Sequence, residues 1–72
     1  MDSQVQMILH HLETHNGITP LEAQNKYGIQ RLASRIHDIK DLGYLITDEY
    51  VVVLNRFGQK CRVKEYSLVR KH

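Results

Sequence analysis

The sequence predicts an α+β fold in which three helices are followed by a β-hairpin. Three observations carry that reading. Apolar residues recur at helical spacing through the first forty or so positions. Capping residues and glycines punctuate that stretch at the ends of three segments. From Tyr44 onward, strand formers replace helix formers.

The first helix is expected over about residues 4–15. Ser3 and Gln6 stand in capping-box spacing, where side chains satisfy the free amide groups of the first turn. Val5, Ile8, Leu9 and Leu12 then form one apolar stripe, and Gly17 follows as a left-handed stop. The second helix is expected over 20–27. Thr19-Pro20-Leu21-Glu22 places a capping threonine first, proline at the first helical position and glutamate at the third. Leu21, Ala23 and Tyr27 supply its buried side, and Gly28 ends it. Ile18, just before the cap, suits a short strand or a hydrophobic staple.

A third helix is expected over 30–42, closed by Gly43. Leu32, Ile36 and Ile39 lie within about 60° of one another at 100° per residue, with Leu42 at the shoulder of that stripe. The exposed face carries Gln30, Arg31, Ser34, His37, Asp38 and Asp41. Arg35 projects about 80° from the stripe centre, which predicts partial burial. Strands follow over about 44–54 and 60–68, with Val63, Tyr66 and Leu68 inward on the second. Asn55-Arg56-Phe57-Gly58-Gln59 is the hairpin tip.

Composition narrows the function classes. Seventy-two residues suit one domain spanning 1–72, and 42% apolar with 25% charged residues is the balance of a globular protein. No apolar run approaches the roughly 20 residues of a membrane span. The start, Met1-Asp2-Ser3-Gln4, lacks the blocks of a secretory signal, so a cytoplasmic location is expected. Cys61 is the single cysteine, read as a buried small apolar residue. His11 and His15 stand at i and i+4, a spacing that can chelate zinc. No further cysteine or clustered acid completes a site, so no metal or other cofactor is expected. Nor is there a constellation of acid, base and nucleophile, so the chain does not read as an enzyme.

Charge is unevenly spread. Residues 1–49 hold four Lys or Arg against seven Asp or Glu, a balance of −3. Residues 55–72 hold Arg56, Lys60, Arg62, Lys64, Arg70 and Lys71 against Glu65 alone, a balance of +5. A basic end of this kind meets polyanions or guards a sheet edge.

A short capped helix, a glycine-bearing turn and a longer helix are the parts of a helix-turn-helix. The major groove of DNA, about 12 Å wide, admits one α-helix, and a hairpin after the third helix serves as a wing. Ile18-Thr19-Pro20-Leu21-Glu22-Ala23, Tyr27-Gly28-Ile29, Arg31-Leu32-Ala33-Ser34-Arg35-Ile36 and Leu42-Gly43-Tyr44 carry a resemblance at this point. With Asn55-Arg56-Phe57-Gly58, Val63 and Glu65-Tyr66-Ser67-Leu68, they resemble the small winged helix-turn-helix domain of phage and prophage proteins. The resemblance covers roughly residues 4 to 68. It implies a winged-helix fold, a role in binding double-stranded DNA, and a viral or prophage origin. One departure stands out. Ala23 precedes the turn glycine, Gly28, by five positions where the familiar spacing has four, which predicts a slightly longer turn.

The candidate DNA-binding residues follow. Arg31, placed in the first turn of the third helix, can grip guanine O6 and N7 together. Gln30 and Ser34 share its face and can read adenine or touch phosphate, or stand as plain surface. Arg35 either binds DNA or pairs with Glu22 or another acid and ties the second and third helices together. Thr19 can direct its hydroxyl and a helix N-terminus at a phosphate, beside its capping role. Arg56, Lys60, Arg62 and Lys64 are wing contacts to phosphate, setting affinity more than sequence choice. Phe57 reads as a clip for the hairpin ahead of a minor-groove wedge. Asp38 and Asp41 mark where the helix leaves the groove, and His37 can reach phosphate only weakly.

The leading expectation is therefore a small DNA-binding protein acting in transcription or as an accessory factor in excision or replication. A homodimer or a protein partner would enlarge so small a contact surface. The rival reading is a winged-helix module that binds a host or phage protein, favoured by the acidic first half.

Overall fold

The computed structural model describes residues 3–69. Its elements are α1 (Ser3–Thr14), α2 (Pro20–Tyr27), α3 (Leu32–Asp41), β1 (Ile46–Leu54) and β2 (Lys60–Leu68). The fold is α+β, three helices followed by an antiparallel hairpin, the architecture of a winged helix-turn-helix. Among the described residues, no helix is long and apolar enough to cross a membrane.

The core forms where the three helices meet the base of the hairpin. Val5, Ile8, Leu9 and Leu12 of α1 pack with Ala23 of α2, Leu32, Ile36 and Ile39 of α3, and Ile18, Ile29 and Tyr66. Ile46 and Leu68 close it from the first and last positions of the two strands. Each fully buried isoleucine or leucine contributes about 1.5–3 kcal/mol relative to exposure. Ile18 takes the strand role. It exchanges two backbone hydrogen bonds with Tyr66, each 2.9 Å, so β2 is paired on both sides at that residue.

The capping box at α2 is complete. Thr19 Oγ1 accepts from the Glu22 N–H at 3.2 Å, and the Glu22 carboxylate accepts from the Thr19 N–H at 3.2 Å. Gly28 ends the helix with φ 68°, a left-handed conformation open to glycine at little cost, and its N–H donates to the Gln24 carbonyl at 3.0 Å. Four residues, Gly28 to Arg31, then separate α2 from α3, within the ordinary length of a helix-turn-helix connection.

Several sequence expectations need correction. Ser3 is the first residue of α1 and not its cap, and the position before it lies outside the described residues. The helix ends at Thr14, and Gly17 is not left-handed. Glycine is needed there for space, since a Cβ would sit 2.9 Å from Glu65 Cγ and Cδ and 3.0 Å from Ser67 Oγ. Leu21 is 63% exposed because it lies about 200° around α2 from Ala23, the residue that faces the core. The third helix runs Leu32–Asp41, leaving Gln30 and Arg31 in the turn before it, and Leu42 is exposed. Tyr44 and Leu45 precede β1 and do not begin it. Val63 shares neither the face nor the burial of Tyr66, because alternate residues of a strand point opposite ways. Cys61 is half-buried on the hairpin, outside the core.

His11 is the unforeseen core residue, 1% exposed. Its Nε2 lies 2.9 Å from the Gly17 carbonyl and its Nδ1 2.7 Å from the Tyr27 hydroxyl. A carbonyl only accepts, so Nε2 donates, and in the neutral ring Nδ1 accepts from Tyr27. The residue ties α1 to the segment entering α2 and to the last residue of α2.

Candidate nucleic-acid interface

The turn and the start of α3 bring three of the sequence-predicted residues together. Gln30, Arg31 and Arg35 line one open cleft with Gln4 of α1 and Gly28. Arg31 occupies the position preceding α3, with φ −114° and ψ 58° and no side-chain capping bond, and its side chain is exposed. A cation here adds to the partial positive charge of the helix N-terminus, so the local field favours an anion. Ser34 is exposed on the first turns of the same helix, and Gln4 has no signal in the sequence that marks it out.

Charge changes sign along α3. Asp38 and Asp41 sit in its second half, Asp38 beside a guanidinium and Asp41 beside an imidazole. Arg35 Nη2 is 3.5 Å from Asp38, and His37 Nε2 is 3.5 Å from Asp41. Arg35 is about one-quarter exposed, as its angular position predicts, and Asp38, an acid that it pairs with, is on its own helix. That pair lies within α3. Surface pairs contribute little to stability, but Arg35 reduces the acidic field that Asp38 would project.

Thr19 is held inside its cap. Its hydroxyl accepts from the Glu22 N–H and lies 3.3 Å from the Glu22 carboxylate, to which it donates. That carboxylate also covers the amino end of α2 with negative charge.

The hairpin sorts its side chains by face. Register pairs Ile46 with Leu68, Asp48 with Tyr66, Tyr50 with Lys64, Val52 with Arg62 and Leu54 with Lys60. These residues share one face. Near its base that face packs Ile46, Tyr66 and Leu68 against the helices, and toward its tip it carries Lys64, Arg62 and Lys60. The cationic row thus continues the helix-bearing side of the sheet. Tyr50 is its platform. The Arg62 guanidinium carbon stands 5.2 Å and Lys64 Nζ 5.5 Å from the Tyr50 ring centre, within cation–π range. Lys64 Nζ is also 3.5 Å from Asp48, and the neighbouring Tyr50 hydroxyl and Asp48 carboxylate raise its ammonium above the ordinary lysine value.

Asn55 builds the tip, a role that its place at the head of a glycine-bearing turn could have signalled. Its N–H donates to the Gln59 carbonyl at 2.8 Å. Its Oδ1 accepts from the Phe57 N–H at 2.9 Å and the Gln59 N–H at 3.0 Å. Arg56 is exposed beside it. Phe57 is 81% exposed, so it is no clip for the hairpin.

Arg56, Lys60 and Arg62 lie on the hairpin, and Gln30, Arg31 and Arg35 surround the turn. Among the described residues, no group of three or more His, Cys, Asp or Glu gathers in a metal-binding arrangement. His11 and His15 stack at 4.4 Å, yet both ring nitrogens of His11 are already engaged.

Comparison with known proteins agrees with this architecture. A family model described as a winged helix-turn-helix domain matches residues 3–71, and the chain belongs to that family, whose general use is DNA binding. No curated relative and no solved structure matches the chain.

Proposed function

We propose that this winged helix-turn-helix chain is a sequence-selective binder of double-stranded DNA, with α3 in the major groove and the hairpin on the flanking backbone. The observation that carries the reading is the row Lys60, Arg62 and Lys64 on the helix-bearing face of the hairpin, together with the cleft of Gln30, Arg31 and Arg35. Two cationic clusters joined by one fold are what a helix in a groove and a wing on phosphates require.

Within this reading the residues divide by task. Arg31, Gln30 and Ser34 face base edges, while Arg56, Lys60 and Arg62 contact phosphates. Arg35 steadies the turn and the start of α3 from its half-buried position. Thr19 serves as a cap, and any phosphate near α2 meets backbone amides before its hydroxyl. The resemblance to phage and prophage domains supports a role as transcriptional regulator or accessory factor in excision or replication.

Fluorescence anisotropy with a random duplex and with genomic fragments, across a salt series, tests the proposal. Arg31→Ala is expected to relax sequence preference, at about 1–3 kcal/mol for removal of a bidentate base interaction. Arg56→Ala is expected to weaken all duplexes alike and to flatten the salt dependence. A folded protein that binds no duplex at low salt overturns the DNA reading and favours a protein-binding module, for which the acidic second half of α3 is the first surface to test.

A further inference from the structure

We propose that the outer edge of β1 pairs with β1 of a second copy of this chain, antiparallel and about a two-fold axis at Val52. The proposal rests on the strand itself and stands whether or not the chain binds DNA.

The backbone of β1 is half used. The Asn55 N–H donates to the Gln59 carbonyl and the Val69 N–H to the Leu45 carbonyl, so odd-numbered residues of β1 direct their N–H and C=O groups at β2. Ile46, Asp48, Tyr50, Val52 and Leu54 therefore point theirs outward. Among the described residues, no backbone group meets them. The other side of the hairpin is different: Ile18 pairs with β2 at Tyr66, and from there to the tip that strand carries Lys64, Arg62 and Lys60.

Exposed edges are usually guarded by lysine, proline, a bulge or a covering segment. Here the basic residues stand on β2, as Lys60, Arg62 and Lys64, while β1 has its charges, Asp48 and Glu49, near its base and shows Tyr50-Val51-Val52-Val53-Leu54 toward the tip. Tyr50, Val52 and Leu54 are 61%, 62% and 68% exposed. An apolar run of this kind at a free edge is a template for another strand.

The strand is complementary to itself. With the axis at Val52, Tyr50 stands opposite Leu54 of the second copy and Val52 opposite its equivalent. On the other face, Val51 stands opposite Val53. Beyond Leu54 each chain leaves the strand for the Asn55–Gln59 turn, so the seam is made of these apolar pairs. Sliding one strand by two residues places Asp48 opposite Leu54, or Tyr50 opposite the turn, and breaks that match. The central pairs supply about six backbone hydrogen bonds in the ordinary antiparallel pattern. Such self-complementarity is what an isologous two-fold contact requires. Because the axis is perpendicular to the sheet, both helix-bearing faces lie on one side of the resulting four-stranded sheet. That is the symmetry of two half-sites on a duplex.

A seam of this length is small beside the roughly 1,200–2,000 Å² of a standard interface, so the association depends on concentration. Sedimentation equilibrium of the full chain, from micromolar to millimolar protein, should show a monomer–dimer equilibrium. Val52→Lys places like charges across the axis and, at an exposed position, leaves the fold intact by circular dichroism. It should weaken association at least about tenfold. In a Cys61→Ser background, Val52→Cys should give a disulfide dimer under mild oxidation, since facing hydrogen-bonded residues stand about 5.5 Å apart at Cα. Thr47→Cys, exposed on the same strand but far from its equivalent, should not. A monomer across the whole range overturns the proposal and leaves the edge to a strand of another protein. So does a dimer that Val52→Lys leaves untouched, or cross-linking that is equal at the two cysteine positions.

Discussion

Replacing His11 by leucine should destabilise the protein by about 2 kcal/mol, although the change is from polar to apolar in a buried place. The imidazole is 1% exposed and makes two hydrogen bonds, to the Gly17 carbonyl and the Tyr27 hydroxyl. Leucine removes both. The Gly17 carbonyl, whose bond to His11 is buried, is then left without its donor, at about 1–3 kcal/mol. Tyr27 is half-buried and its hydroxyl can turn to water, so its share is about 0.5–1 kcal/mol. Burial of the leucine side chain returns about 1 kcal/mol, because much of the histidine site was already dry. For a chain of this size, a net destabilisation of about 2 kcal/mol lowers the Tm by roughly 8–16 °C.

Thermal melts followed by circular dichroism, checked against urea midpoints, measure this directly. Tyr27→Phe removes the hydroxyl bond alone and should cost about 1 kcal/mol. The double variant should cost less than the sum of the two, because both single changes remove the same His11–Tyr27 bond. A leucine variant as stable as the parent, or strictly additive single changes, would refute the argument that this network ties α1 to α2.

Three further outcomes are expected. Thr19→Ala removes the acceptor at the head of α2 and should cost about 1–2 kcal/mol in urea denaturation, with Thr19→Ser restoring most of it. Asn55→Ala deletes the acceptor for the Phe57 and Gln59 amides, so their hydrogen exchange should accelerate while the core amides of α1 and α3 keep their protection. Equal loss of protection throughout would show that the tip and the core unfold as one. Lys60→Ala with Arg62→Ala should reduce the salt slope of DNA binding by roughly 0.9 for each phosphate no longer neutralised, and an unchanged slope would remove the wing from the interface.

The parts of the fold that are legible in the sequence are those set by local chemistry. Thr19-Pro20-Leu21-Glu22 specifies a capped helix start wherever it stands, and Gly28 its end. Leu32, Ile36 and Ile39 repeat at a period that only one helix face satisfies. The misreadings share a different cause, since each depends on what lies opposite in space. Gly17 reads as a helix stop and is instead a gap filled by Glu65 and Ser67, residues far along the chain. His11 falls on the same stripe as Ile8 and Leu12, but its polar side chain hides a position whose partners, Gly17 and Tyr27, are tertiary. The start of α3 falls at Leu32, after Arg31 in a non-helical conformation with no side-chain cap, so no capping residue marks it in the sequence. At the candidate site, the basic residues are visible as a charge imbalance. Their face is not, because that requires the register of β1 on β2.

That register also explains how the chain separates stability from recognition. Along the helix-bearing face of the hairpin, Ile46, Leu68 and Tyr66 are packed against the core, and the next pair outward, Tyr50 and Lys64, begins the exposed platform. From there to the tip the strands are held by their own ladder, by stacking of Arg62 and Lys64 on Tyr50, and by the Asn55 turn. None of these bears on the packing of α1 with α3. Substitutions from Tyr50 to Arg62 can therefore change what the hairpin touches at small cost to the fold, whereas substitutions at Ile46, Tyr66 or Leu68 cannot. The division has a further consequence for Tyr50, which holds the cations on one side and lies at the open edge of β1 on the other. A change there should alter charge presentation and strand pairing together, so Val52, which supports no cation, is the position at which the two can be told apart.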